Sequence, residues 1–245
     1  MTKREETLRL FAPLFTPRTI AIVGVSRTGG GRQNVLIRRL RAYGYDGTIY
    51  PIHPTASEID GLRAYPSLSA TPEPVDYASV AVPATDVLPL LQDAAGRVRF
   101  AQIISSGFGE VPEGRALQEQ IVEAARAGGI RLIGPNCLGL HSPRGKVTFA
   151  EIASKTPGRV GIVSQSGGLG GDIVRQGTAR GLEYSGLVTI GNCADLNTSD
   201  FVEFYLADPH TDVIGLYVES AAEGRRLFEL LRSGKARKPV VILKG

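Results

Sequence analysis

Two stretches of the chain set small residues where an α/β protein meets an anion. In residues 159–172, RVGIVSQSGGLGGD, the apolar run 160–163 gives way to Ser164, Gln165, Ser166, Gly167 and Gly168, and a helix is expected over 169–180. Such a turn leaves backbone N–H groups free and aims the positive end of a helix dipole at the loop, which suits a phosphate group. Many strand–helix turns need glycine only to turn, so at this level both readings stand. The other stretch, Gly24-Val25-Ser26-Arg27-Thr28-Gly29-Gly30-Gly31, follows the apolar run 19–23 in the same way. Two further groups belong with the first stretch. Asn192 lies in Gly191-Asn192-Cys193-Ala194-Asp195 after a strand over 185–190, and Glu219 ends a strand over 213–218. A carboxylate at Glu219 can accept the N–H of an imidazole, fixing its tautomer so that the other nitrogen takes a phosphoryl group. An acid close to a helix start, favoured by the dipole, is the plainer alternative.

The elements that position these residues alternate. Strands are expected at 19–23, 47–52, 77–82, 100–105 and 131–133, with helices at 33–43, 85–95 and 114–127 between them. Most of the strands are apolar throughout, which implies a parallel sheet covered on both faces. The expected fold is α/β: a Rossmann-like domain over 1–145, then a smaller flavodoxin-like domain over 146–245. In the second, helices at 199–207 and 224–233 and a strand at 239–243 follow the elements already named. Residues 141–156 show no periodicity and read as the connection between domains, and residues 1–18 as an amphipathic lead-in packing on its own domain. Ligands of such folds bind at the carboxyl ends of the strands. There the chain places Pro51-Ile52-His53-Pro54, Val82-Pro83, Ser105-Ser106-Gly107 and Gly134-Pro135-Asn136-Cys137-Leu138-Gly139.

A nicotinamide dinucleotide needs an acid at the end of the second strand, about 20 residues beyond the glycine turn, for its ribose hydroxyls. Residues 50–53 carry none. His53, or a nearby arginine, instead tolerates a ribose phosphate, as in coenzyme A; a rim histidine bonded to backbone is the alternative reading. Composition narrows the rest. The 245 residues are 42% hydrophobic and 21% charged with net charge +4, a soluble globular balance with no dense basic run, so neither nucleic acid nor membrane is expected as a partner. Arg32, Arg38, Arg39 and Arg41 read mostly as a solvated helix face. Cys137 and Cys193 match no metal-ligand spacing, no metal is expected, and a reducing cytoplasm is the expected location.

The blocks Gly24-Val25-Ser26, Tyr50-Pro51-Ile52-His53-Pro54, 80–84, 104–108 and above all Gly134-Pro135-Asn136-Cys137-Leu138-Gly139 resemble the coenzyme A-binding domain of nucleoside-diphosphate-forming acyl-CoA synthetases. That family includes the ADP-forming acetyl-CoA synthetases and the succinyl-CoA synthetase α chain, and the resemblance covers nearly the whole chain in order. It implies that Gly24, Ser26 and Arg27 lie at the coenzyme phosphates, that Val82 and Pro83 flank the adenine or pantetheine, and that Ser105, Gly107 and Asn136 line the pantetheine arm. One departure is Thr55, where the family often has lysine. In the second half it implies a phosphate cradle at residues 161–168 with Asn192 beside it, Glu219 supporting a phosphohistidine, and Cys137 as a packing residue.

The implied reaction converts acyl-CoA, nucleoside diphosphate and phosphate to free acid, CoA and nucleoside triphosphate, through an acyl phosphate and a phosphohistidine. ATP or ADP and magnesium enter through an ATP-grasp domain or subunit, so a homo- or hetero-oligomer is expected. None of His53, His141 and His210 is placed to be the phosphorylated histidine, which the resemblance puts after the strand ending near Lys244. The chain alone is therefore expected to be inactive. The alternative function is a non-catalytic CoA- or acyl-CoA-sensing module of a larger protein, such as a protein acetyltransferase.

Overall fold

The computed structural model describes residues 1–220, 224–232 and 237–245. Helix α1 (Lys3–Phe15) opens on a capping box between Thr2 and Glu5. The first sheet follows from β1 (Thr19–Val23), α2 (Arg32–Tyr43), β2 (Thr48–Ile52), a small hairpin of β3 (Glu58–Ile59) and β4 (Leu62–Arg63), β5 (Val75–Val80), α3 (Ala84–Asp93), β6 (Val98–Ile103), α4 (Arg115–Ala127) and β7 (Arg131–Ile133). Its five strands run in the order β2-β1-β5-β6-β7 and all pair in parallel. The chain leaves β1 toward β2 on one side and returns on the other as β5. That reversal makes the β1/β5 crevice the natural ligand site.

The second sheet is built from β8 (Leu140–Ser142), β9 (Val147–Thr148), β10 (Val160–Ser164), α5 (Gly167–Ala179), β11 (Tyr184–Thr189), α6 (Thr198–Ala207), β12 (Val213–Val218), α7 (Gly224–Arg232) and β13 (Val240–Lys244). The expected end of α7 at Ser233 lies outside the described residues. Order β13-β12-β10-β11-β8-β9 puts the reversal at β10/β12, with β8 and β9 the antiparallel strands on one edge.

Two expectations are corrected. Residues 141–156 are not merely a connection, because the β8–β9 hairpin joins the second sheet through β11. Its strands are short, and their burial comes from neighbours distant in sequence, so no periodicity betrays them. Helix α1 does not pack on the first sheet alone. Phe11 stacks near Phe100 of β6 but also meets Phe201 and Phe204 of α6, and Phe15 stacks on Phe204 with ring centroids 4.3 Å apart. One continuous core thus includes Ile20 and Tyr77 of the first sheet with Val163, Phe201 and Tyr205 of the second. The arginines of α2 do form a mostly solvated face: Arg32, Arg38 and Arg41 are exposed, with Arg38 pairing with Asp60 and Arg41 donating to the Asp60 carbonyl, while half-buried Arg39 donates to the Phe149 carbonyl.

Candidate functional site: two carboxyl-end rims joined by a seam

At the first rim the chain turns sharply after β1. Gly24 has φ +93°, and a Cβ there would stand 2.1 Å from the Ala81 carbonyl oxygen, so only glycine fits. Gln33, buried in the first turn of α2, donates from Nε2 to the carbonyls of Val23 and Ser79, each at 2.9 Å, and ties the ends of β1 and β5 together. The loop between is held from α2 as well. Ser26 donates its amide to Asn34 Oδ1 at 2.7 Å and accepts from Asn34 Nδ2 at 3.0 Å. Asn34 Nδ2 also reaches Asp60 at 3.0 Å, and Arg38 bonds both Asp60 and the Gly29 carbonyl. Ser26 Oγ lies 2.9 Å from Thr28 Oγ1, and Arg27 is exposed. The end of β2 has no acid, but the hairpin β3–β4 brings one to the loop by another route. That acid, Asp60, is already occupied by Asn34 and Arg38. Nothing in the sequence spacing marks Gln33, Asn34 or Asp60; only their place in the first helical turn and in a hairpin tip shows what they do.

His53 stands half-buried at the same rim. Its Nδ1 accepts the amides of Thr55 and Ala56 at 3.2 and 3.0 Å, which puts the proton on Nε2 of the neutral ring. Along the neighbouring strand ends, Ser105 Oγ donates to the Val82 carbonyl and the Asn136 amide to the Ser105 carbonyl, so Val82, Ser105 and Asn136 lie side by side, with exposed Pro83 next to them. Gly107 gives its amide to Glu110. Burial pushes the Glu110 carboxyl up, but hydrogen bonds from Asn192, Gly107 and Phe108 outweigh that and hold it below the usual carboxylate range.

At the second rim Ser166 caps α5, its Oγ accepting the Leu169 amide at 3.3 Å, and buried Ser164 donates to the Ser166 carbonyl at 2.7 Å. Gly167 lies against Leu138, while the space around Gly168 is open. Gln165 spans the β10/β12 reversal, its Oε1 accepting the amides of Glu219 and Ser220 at 2.5 and 2.8 Å. Gln165, Asn192, Asn197, Ser199 and Glu219 line a cleft of about 330 Å³. The predicted cradle residues thus divide: Gln165, Asn192 and Glu219 share the cleft, and Ser166 to Gly168 start the helix beside Leu138.

The rims are joined. Asn192 and Ala194 donate their amides to the carbonyls of Pro135 and Gly134 at 2.9 and 3.0 Å, and Leu196 to that of Leu132 at 3.2 Å. Gly191, at φ +49°, comes so close to Pro135 that a Cβ would sit 2.2 Å from its carbonyl oxygen. The Asn192 side chain donates to Glu110 and, at 3.0 Å, to Gln118, so its donors point into the seam. Beneath them Gln102 links Cys137 and the Thr189 carbonyl, at 3.2 and 3.3 Å, and Arg131 pairs with Asp195 at 2.8 Å.

The cysteines and remaining histidines stand apart from this chemistry. Burial pushes the Cys137 and Cys193 thiols up to about 12, which keeps both protonated and poor nucleophiles; Cys137 donates to the Ile103 carbonyl. His141 is buried between the rings of Tyr43 and Tyr184, with Nδ1 3.2 Å from Thr148 Oγ1 and no partner for Nε2, and burial lowers its pKa to about 4. His210 precedes β12 and so lies at the amino end of the sheet, opposite Glu219.

A parallel sheet with a glycine turn at its reversal, interlocked with a second sheet of the same doubly wound kind, defines a two-part α/β protein. The chain belongs to the CoA binding domain family, which residues 18–143 match; residues 157–245 match the family described as succinyl-CoA ligase like flavodoxin domain. It is 37% identical over 237 residues to an ADP-forming acetate–CoA ligase I of Archaeoglobus fulgidus, covering 95% of this chain and 34% of that protein. It is 34% identical over 240 residues to the α subunit of the ADP-forming acetate–CoA ligase I of Pyrococcus furiosus, covering 95% of this chain and 52% of that subunit. The dinucleotide-forming acetyl-coenzyme A synthetase 1 of Ca. Korarchaeum cryptofilum, solved in complex with phosphate and ADP, superposes with a TM-score of 0.88 at 35% identity, over 96% of this chain and 51% of that one. The chain therefore spans about a third to a half of these relatives. Among the described residues no helix is long and apolar enough to cross a membrane.

Proposed function

We propose that this chain is the coenzyme A-binding and ligase portion of a nucleoside-diphosphate-forming acyl-CoA synthetase, with the coenzyme held by residues 1–145 and the phosphate chemistry by 146–245. The observation that carries the proposal is the seam. It sets Asn136 beside Asn192 and Leu138 on Gly167, so a thioester at the first rim lies next to the helix start of the second. The first rim suits a coenzyme with several phosphates, since α2 has no side-chain cap and no acid in its first turn, leaving N–H groups for phosphate oxygens. In this reading Gly24, Ser26 and Arg27 meet the diphosphate, and His53 Nε2–H faces the ribose phosphate. Val82 and Pro83 flank the adenine or pantetheine, and Ser105, Gly107 and Asn136 line the pantetheine arm. At the second rim Ser164, Gln165, Ser166, Gly167, Gly168 and Asn192 shape the phosphate site, whose work is to position and neutralise oxygens during transfer.

Glu219 accepts the N–H of an imidazole brought by further polypeptide, and ATP or ADP with magnesium comes through an ATP-grasp partner. Exposed Phe228, Val241, Ile242 and Leu243 on α7 and β13 offer an apolar face for such further protein. Both cysteines are free, which fits a reducing cytoplasm.

Calorimetric titration with CoA, dephospho-CoA and NAD tests the site. CoA is expected to bind, and dephospho-CoA more weakly; preference for NAD, or no binding of CoA, overturns the reading. The purified chain is also expected to form no thioester from acid, CoA and nucleoside triphosphate.

A further inference from the structure

We propose that the cleft between α1 and the amino ends of the second sheet binds a carboxylate with an apolar body, the carboxylate held by Arg144 and the body laid on α1 and α6. The cleft lies at the end of that sheet opposite the phosphate cleft, so the inference stands apart from the coenzyme reading.

The cleft encloses about 310 Å³. Its floor is apolar: Leu8, Ala12 and Phe15 of α1 face it, and Phe204 of α6 stacks on Phe15. Its wall is charged, with Arg144 just past β8 and Asp208 and His210 between α6 and β12. Four cations, Arg4, Arg144, Arg159 and Lys238, surround the turn 208–212, which holds two acids, Asp208 and Asp212. Three of the four spend their donors on protein. Arg4 bonds the Ala207 carbonyl, Arg159 the Asp212 carboxylate, and Lys238 the carbonyls of Tyr205 and Asp208. Arg144 does not. Its half-buried guanidinium stands 4.0 Å from Asp208 and donates no hydrogen bond among the described residues. Asp208 is already supplied, by Thr211 Oγ1 at 2.6 Å on one oxygen and the His210 amide at 3.1 Å on the other. The hydroxyls of the cleft are taken too, Ser142 by the Phe15 carbonyl and Ser185 by Thr211. A guanidinium drawn out of water without partners is costly, and a carboxylate accepts two of its N–H groups at once. An apolar body behind that carboxylate covers the floor and expels its water.

The test is calorimetric titration of the chain with octanoate and with octylamine, repeated on Arg144→Gln and Ala12→Trp. Octanoate is expected to bind the parent, and octylamine about tenfold more weakly or worse. Arg144→Gln is expected to weaken octanoate about tenfold through loss of the charge-assisted bonds. Ala12→Trp, which fills the floor from an exposed helix position, is expected to weaken it by about the same factor. Circular dichroism checks the fold of each variant, and each tests the site by itself. No octanoate binding to the parent, equal binding of octylamine, or unchanged octanoate affinity in a folded variant overturns the site. Octanoate that competes with CoA occupies the first rim instead and overturns it as well. A chain that binds octanoate as expected but no CoA takes down the coenzyme reading alone.

Discussion

The two strand–loop–helix turns that opened the sequence look alike on paper and differ in construction. Between β1 and α2 the loop is long, α2 is left uncapped, and the loop is braced from outside by Asn34, Arg38 and the hairpin acid Asp60. Between β10 and α5 the loop is two residues, Gln165 and Ser166, and is braced from within: Ser166 caps its own helix and Gln165 reaches across to β12. A long braced loop with an open helix start can follow an extended ligand with several phosphates. A short self-capped one leaves room only for a small group. The same residue types thus build two different turns, and the bracing, more than the glycine count, separates them.

Substitutions can break that distinction. Gly24→Ala is expected to have the largest effect, about 3 kcal/mol or more, because a Cβ at φ +93° meets the Ala81 carbonyl; denaturant unfolding and CoA titration should both register it. Acid attacks the scaffold of the second rim instead. His141 is neutral and buried with a pKa of about 4 against 6.5 when unfolded, so the unfolded chain binds the proton more readily. Its contribution is full above pH 6.5 and is lost as pH falls toward 4, by about 3 kcal/mol in all. A stability profile that slopes over this window in the parent and flattens in His141→Phe would confirm it.

Smaller effects sharpen the comparison. Asp60→Ala, which removes the outer brace, is expected to weaken CoA about tenfold, and Asp60→Asn to restore most of it, because the acceptor for Asn34 survives. An unchanged CoA affinity in Asp60→Ala would mean the bracing is irrelevant to binding. Ser166→Ala is the mildest, costing about 1 kcal/mol of stability for the lost cap, and is expected to leave CoA affinity at the other rim as it was.

Most strands of the first sheet were legible because they are buried on both faces and so read as apolar runs, while half-covered β12 and exposed β13 were legible from their apolar residues alone. β1, β7 and β12 fall where the sequence puts them. Within the glycine-rich loops, Gly24 and Gly167 were legible for a related reason: the close approach of Ala81 and Leu138 leaves little room for a side chain. Gln33, Asn34 and Asp60 were not, since a glutamine that clamps two carbonyls is indistinguishable in sequence from one facing water. Nor was the edge hairpin β8–β9, whose His141 is enclosed by Tyr43 and Tyr184, residues far away along the chain. The dual role of α1 was hidden because its partner surface on α6 lies nearly two hundred residues downstream.

Helix α1 has a consequence for how the molecule melts. Phe11 bridges Phe100 of the first half and Phe201 and Phe204 of the second, and Phe15 beside it stacks on Phe204, so the core the two halves share is incomplete without them. Heat or denaturant should therefore unfold the chain in one cooperative step, with probes placed at the two rims reporting the same midpoint. Trimming this amino-terminal helix should uncouple those midpoints, although the helix contributes nothing to either rim.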